Sequence, residues 1–475
     1  MYTELKLYID GQWLDGQGRK GEDVINPATG KVLGRLPHAG KADLNHALAA
    51  AGEAFAGWKA TSAYERSKIL RKAAELLRER HEHVAKVQTQ EQGKIYAESR
   101  IEVLTSADII DWYAEEGRRA YGRVVPGRQK GVRQIVLREP VGVVAAFTPW
   151  NFPTLTPVRK IAGALAAGCT IIIKASEETP GGCVELVKCF ADAGVPKGVV
   201  NLVFGVPADV SEHLIPSPIV KKISFTGSIP VGKHLAGLAA KGMKKATMEL
   251  GGHSPVVVFA DADAEKAADT IAAFKYRNAG QVCISPTRFY VQEQSYGKFV
   301  NRFTEYAKAI KLGDGLEKDT SMGPLANPRR LDAMESFVND ARERGGRVLA
   351  GGARHGNQGF FFQPTVITEV PDDAKIMTQE PFGPVAPIVS FKSFDEVVER
   401  ANSLEYGLAA YAFTSSGATA TAIGDALQSG MVGINSVAVS TPETPFGGVK
   451  ESGYGSEGGI EGLEAYMNVK FISQA

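Results

Sequence analysis

Cys283 closes the run Arg277-Asn278-Ala279-Gly280-Gln281-Val282-Cys283, in which a Gly-Gln turn presents a thiol. Upstream, a strand is expected to end at Met248-Glu249-Leu250-Gly251-Gly252. A thiolate attacks carbonyl carbon far better than a hydroxyl does, and a carboxylate in a partly apolar site can take a proton from water. A third run, Thr148-Pro149-Trp150-Asn151-Phe152-Pro153, sets a side-chain amide donor at a strand end, where it can meet the oxygen of an attacked carbonyl. Nucleophile, base and oxyanion donor together read as carbonyl chemistry through a thioester.

These groups need a scaffold, and 475 residues exceed one ordinary core, so two large lobes with appendages are expected. A net charge of +1 without a basic run argues against a nucleic-acid surface. The four cysteines, Cys169, Cys183, Cys189 and Cys283, have neither CxxC nor zinc spacing. A reducing compartment and no metal are expected, with Cys169, Cys183 and Cys189 as packing residues. No apolar leader or membrane-length stretch stands out, so the chain reads as cytoplasmic. His81 and His83 lie two apart on an expected helix, face different ways and read as solvated surface.

Short strands are expected at 6–9 and around Val24, with Asn26-Pro27-Ala28-Thr29-Gly30 as a turn. Amphipathic helices follow over 41–118, and alternation over 121–137 reads as an exposed two-stranded arm. Strand-like runs at 141–147, 170–174, 199–204 and 222–225, separated by helical stretches, predict a doubly wound parallel sheet. A second alternation, from 254–259 past 385–389 with a helix at 395–401, predicts another α/β lobe. The last strand, 470–473, is free to pair with the arm or with another subunit.

The first lobe lacks GxGxxG. It offers Phe225-Thr226-Gly227-Ser228-Ile229-Pro230-Val231-Gly232, a strand ending in a Gly-Ser turn that opens a helix, whose free N–H groups attract a diphosphate. Taken alone this is a weak signal, since many helices start on Gly-Ser. Lys174-Ala175-Ser176-Glu177 ends another strand of that sheet; Lys174 and Glu177 are placed to reach ribose hydroxyls, and the carboxylate favours NAD over a 2′-phosphate. Glu380-Pro381-Phe382-Gly383-Pro384 reads equally as a surface turn or as an acid and an aromatic for the cleft.

In order and spacing, the runs at 148–153, 225–228, 248–252, 280–283 and 380–384, with Pro445-Phe446-Gly447-Gly448-Val449-Lys450, resemble the aldehyde dehydrogenase superfamily over essentially the whole chain. The resemblance implies that family's α/β fold: a cofactor domain over 1–121 and 141–250, a catalytic domain over 251–462, and an oligomerisation arm over 122–140 and 463–475. In the family, arm and C-terminal strand pair between subunits, so a homotetramer is expected, with a dimer second. It implies attack by Cys283, an oxyanion held by Asn151 and the Cys283 N–H, and water activated by Glu249, with Lys160 and Glu457 matching proton-relay residues. Thr148, Pro149, Trp150, Lys174, Ser176, Glu177, Thr226, Gly227, Ser228, Leu250, Glu380 and Phe382 become NAD contacts, with NADP an alternative.

Arg159 and Arg277, with Ser440, match the carboxylate-binding set of succinate-semialdehyde dehydrogenases; a pair of guanidiniums facing one cavity calls for an anion. The plainer reading is that Arg277 bridges a neighbouring acid. The runs at 275–288, 102–110, 115–122 and 447–459 look closest to bacterial 2-oxoglutarate-semialdehyde dehydrogenases, and a sulfonate such as sulfolactaldehyde would satisfy the same arginines. Some relatives carry a redox cysteine two residues after the nucleophile; here that position is Ser285, which excludes that disulfide. Rival readings are a CoA-acylating enzyme, disfavoured by Glu249, an idle scaffold on the same fold, a thiol hydrolase independent of nicotinamide, and a broad-specificity aldehyde dehydrogenase.

Overall fold

The computed structural model describes residues 2–475. Its first sheet has a parallel core in the spatial order Lys245–Glu249, Val220–Thr226, Val143–Phe147, Thr170–Lys174, Val200–Val203. Because this order runs outward in both directions from Val143–Phe147, the crossovers diverge between that strand and Val220–Thr226, leaving a crevice at their carboxyl ends. The runs that begin at Thr148 and Thr226 emerge there. Val143–Phe147 and Thr170–Lys174 are buried at every position, as strands covered on both faces must be.

Two edges were not foreseen. Leu7–Ile9 joins the sheet antiparallel beside Val200–Val203, and Gly453–Tyr454 pairs with Met248 and Glu249 at the other edge. The second pairing returns the chain past Glu249 late in the sequence. The Asn26 turn forms as expected between Gly21–Ile25 and Val32–Pro37, with the Asn26 side chain accepting from Ala28 N–H at 2.8 Å.

The second sheet is parallel through Thr365–Thr368, Val385–Phe391, Pro286–Gln292, Ser254–Val258, Ala409–Phe413 and Met431–Ile434, with Arg347–Ala350 antiparallel at one edge. Each sheet carries its own apolar core. The arm is a three-stranded sheet of Arg123–Pro126, Arg133–Pro140 and Met467–Gln474. The C-terminal strand pairs with the arm of its own chain over the full register Met467↔Pro140 to Gln474↔Arg133, the first of the two pairings open to it. The third strand supplies what a lone hairpin lacks. Among the described residues no helix is long and apolar enough to cross a membrane.

Candidate active site

The thiol is carried on a strained turn. Asn278, Ala279 and Gly280 take φ of 48°, 51° and 73°, three consecutive left-handed residues, a conformation that costs free energy for the first two and persists where surroundings enforce it. A Cβ at Gly280 would run into the Gly383 carbonyl, so that position also needs glycine for space. Gln281 locks the turn: its amide donates to Asn278 O at 3.0 Å, and its Oε1 accepts from Ala326 N–H at 2.9 Å. Cys283 is thereby held half-buried on the wall of a cavity of 470 Å³.

Across that cavity, Asn151 leaves the end of Val143–Phe147, and its Nδ2 donates to Gln281 O at 3.1 Å. One of its two amide protons stays free for an oxygen in the cavity. Glu249 ends Lys245–Glu249 on the same wall, buried, with neither carboxylate oxygen hydrogen-bonded. Burial first, and the Glu457 carboxylate second, hold its pKa well above the usual range. Glu457 meets Lys160 Nζ at 2.5 Å, and that ammonium also donates to Ser224 Oγ at 3.0 Å. The motif at 445–450 contributes by pairing: Phe446 and Glu457 exchange backbone hydrogen bonds of 2.6 and 2.8 Å, which brings Glu457 to the cavity.

Desolvation pushes the Cys283 thiol up to about 12, with Glu380 and Glu249 adding like charge. The thiol is therefore protonated at neutral pH in the free protein, the Glu249 carboxyl is harder to ionise than an ordinary one, and both must lose a proton to act. Turnover is therefore expected to rise with pH above the ordinary carboxylate range. In Glu249→Gln, which has no proton to lose there, a first-turnover burst survives and steady turnover nearly vanishes; stopped-flow absorbance across pH checks both features.

Of the expected cofactor contacts, Pro149, Trp150, Thr226, Gly227, Ser228, Leu250, Glu380 and Phe382 line the cavity. Trp150 and Phe382 meet edge to face, ring centres 5.5 Å apart. Thr148, Lys174, Ser176 and Glu177 do not reach the lining, although Thr148 N–H donates to Lys174 O at 3.1 Å at the adjoining strand ends. Lys174 and Glu177 form an ion pair with each other, and Ser176 Oγ accepts from Glu178 N–H at 3.3 Å. A carboxylate already neutralised by a lysine is a weaker barrier to a 2′-phosphate, in keeping with NADP as the alternative.

The donor set fits a dinucleotide. Ser228 caps helix Ile229–Lys241 without using its side chain, and the Thr148 and Thr226 hydroxyls are buried without partners. Glu380 accepts from Gly252 N–H at 3.2 Å, and a Cβ at Gly251 would collide with its carboxylate. Burial lifts Glu380 to about 7, against the pull of the Gly252 amide, Arg330 and Lys275. Lys275, buried with no hydrogen-bond partner for its Nζ, and Arg330, which lines the cavity, had no role in the sequence reading.

Arg159 is 2% exposed; its Nη2 donates to Ser440 Oγ at 3.0 Å, while Nε and Nη1 have no partner. Its guanidinium lies 4.8 Å from the centre of the Phe446 ring. Arg277 sits between the Phe152 and Phe274 rings, at 5.5 and 5.2 Å, and lines the same cavity. Among the described residues no ion pair within contact distance reaches it, although the Glu98 carboxylate feels its charge. Cys169, Cys183 and Cys189 are buried and free, as packing thiols should be, and no cluster of metal-ligating side chains occurs among the described residues.

Residues 13–472 match the aldehyde dehydrogenase family. The chain belongs to that family. This aldehyde dehydrogenase is 46% identical to the 4-(hydroxymethyl)benzenesulfonate dehydrogenase of Comamonas testosteroni, across 99% of the chain and 98% of the relative. It is 42% identical to the NADP(+) succinate-semialdehyde dehydrogenase of Escherichia coli, across 98% and 96%. A crystal structure of succinate-semialdehyde dehydrogenase from Burkholderia pseudomallei superposes with a TM-score of 0.98 at 41% identity, covering 99% of this chain and 98% of the other. The fold expected of two wound lobes is thus the fold found. An aryl sulfonate was not among the anions raised by the sequence.

Proposed function

We propose that this enzyme oxidises a small aldehyde bearing an anionic group at its far end, succinate semialdehyde or 2-oxoglutarate semialdehyde, to the acid with NAD or NADP. The observation that carries the reading is Arg159, a buried guanidinium on the lining of the cavity that holds Cys283, with two nitrogens that have no partner. A buried charge without a partner is costly, and a substrate carboxylate accepting from it, with Ser440 and Arg277 beside it, offsets that cost. Sulfolactaldehyde is the second reading, since a sulfonate has three oxygens to accept from the same donors; the sulfonate named for one relative favours keeping it.

Cys283 Sγ, its proton lost to solvent, attacks the aldehyde carbon as the thiolate, and the free Asn151 amide proton meets the oxygen that becomes negative. A nicotinamide bound in the cavity would supply the acceptor for the hydride that must leave this carbon to give the thioester. Thr226, Gly227, Ser228, Glu380 and Phe382 would hold the cofactor. Glu249 then takes a proton from water, which adds to the thioester carbonyl, and the acid leaves as Sγ is released. Lys160 and Glu457 carry the proton onward through Ser224.

The division into a cofactor domain over 1–121 and 141–250, a catalytic domain over 251–462 and an arm over 122–140 and 463–475 belongs to the same proposal. So does a homotetramer, with a dimer second: Val469 and Phe471 are 62% and 59% exposed on one face of the arm sheet and Val124 is 69% exposed on the other, apolar side chains that subunit contacts would cover. Free buried thiols fit a cytoplasmic setting. The substrate reading is tested by kcat/KM for the two semialdehydes, sulfolactaldehyde and an uncharged aldehyde of matched length. Preference for the anions supports it; equal use of all would make this a broad-specificity enzyme.

A further inference from the structure

Behind the oxyanion donor lies a buried ion pair that the reaction does not touch. Lys94 and Glu102 have side chains 1% exposed and meet at 2.6 Å. Burying two charges is expensive, and such a pair is retained where its geometry is needed. The further contacts of both partners lead to the site. Lys94 Nζ donates to the backbone carbonyl of Asn151 at 2.7 Å, and Asn278 Nδ2, from the nucleophile turn, donates to the same oxygen at 3.1 Å. Glu102 Oε1 accepts from Thr154 N–H at 3.0 Å, Thr154 Oγ at 3.0 Å and Leu155 N–H at 3.1 Å, which caps the helix Leu155–Ala167 that bears Arg159 and Lys160. Gln88 donates to Oε2 and accepts from Thr154, so each Glu102 oxygen is multiply bound.

We infer that Lys94, anchored by Glu102, is a positioning residue for the oxyanion donor. It fixes the Asn151 main chain against the nucleophile turn, so that the free amide proton stands where the oxygen of the attacked aldehyde develops charge. The inference rests on the reading of Asn151 as that donor. Glu98 supports the other side of the junction, accepting from Asn278 N–H at 3.0 Å. Removing the Lys94 ammonium leaves the Asn151 carbonyl with one donor and frees its segment to shift. Displacements of about 1 Å at a reacting centre cost up to roughly 100-fold in rate.

The test compares Lys94→Met, Asn151→Ala and the combination of both, in the full-length enzyme, by steady-state aldehyde oxidation. A second readout is the rate at which iodoacetamide alkylates Cys283, followed by mass spectrometry. Alkylation displaces iodide and develops no oxyanion, so it reports the thiol and not Asn151. Asn151→Ala is expected to lower kcat by about 10²- to 10³-fold. Lys94→Met lowers kcat roughly 10- to 100-fold with the aldehyde KM and the Cys283 alkylation rate within about twofold of wild type. In the Asn151→Ala background Lys94→Met adds nothing beyond about twofold, since residues acting through one another are non-additive. Lys94→Met/Glu102→Gln, which leaves no lone buried charge, carries the same comparison if Lys94→Met does not fold.

An unimpaired Lys94→Met beside an impaired Asn151→Ala overturns the positioning role alone. So does a full Lys94→Met loss in the Asn151→Ala background, or alkylation that slows in parallel with oxidation. An unimpaired Asn151→Ala overturns the assignment of the donor itself, and this inference with it.

Discussion

Cys283→Ala is expected to form no measurable reduced nicotinamide from any aldehyde, a loss on the order of 10⁶, the scale at which acyl-transfer enzymes respond to removal of the nucleophile. No other thiol can stand in. Cys169, Cys183 and Cys189 are packed in the first lobe, and burial pushes Cys169 to about 11 and Cys189 to about 12. Ser285, two residues on, is 1% exposed and its hydroxyl donates to Pro286 O at 3.4 Å. Alanine keeps the Cβ and loses one sulfur from a half-buried position, so the variant should fold, and circular dichroism with an absorbance assay separates the two effects. Substantial turnover by a folded Cys283→Ala would remove the covalent route altogether.

Replacing Arg159 and Arg277 together by alanine is expected to lower kcat/KM for an anionic aldehyde by about 10²–10⁴. A hydrogen bond to a charged group contributes about 1.5–3 kcal/mol, so two come to about 3–6 kcal/mol. The lower end of that range applies where water enters the enlarged cavity and solvates the anion. For an uncharged aldehyde the same change removes little, because neither guanidinium is needed at the reacting carbon. Arg159→Lys should behave more like alanine than like arginine: a single ammonium cannot bond Ser440, lie on the Phe446 ring and still present two further donors.

The chemistry was more legible in the sequence than its support. Cys283, Glu249 and Asn151 each end a strand or follow a glycine turn, positions that type and local pattern reveal, and the structure brings all three to one cavity. Strand runs such as Thr170–Lys174 were equally clear, because a strand covered on both faces is a continuous apolar run. What stayed hidden depends on distant pairing. Gly453–Tyr454 is too short to announce a strand, yet it edges the sheet at Glu249. Lys94 and Glu102 look like ordinary surface charges on helical periodicity, and their burial follows from packing against a segment far along the chain. Lys174 and Glu177 were read as placed to reach a ribose; their pairing with each other, set by their spacing at a strand end, was not foreseen.

The decisive experiment is the ratio of kcat/KM for succinate semialdehyde to that for an uncharged aldehyde of matched length, in wild type and in Arg159→Ala/Arg277→Ala. A ratio well above one in wild type that falls toward one in the double variant, with the uncharged substrate unchanged, is the predicted result. A wild-type ratio near one, or a high ratio that survives loss of both arginines, would contradict an anion-directed site.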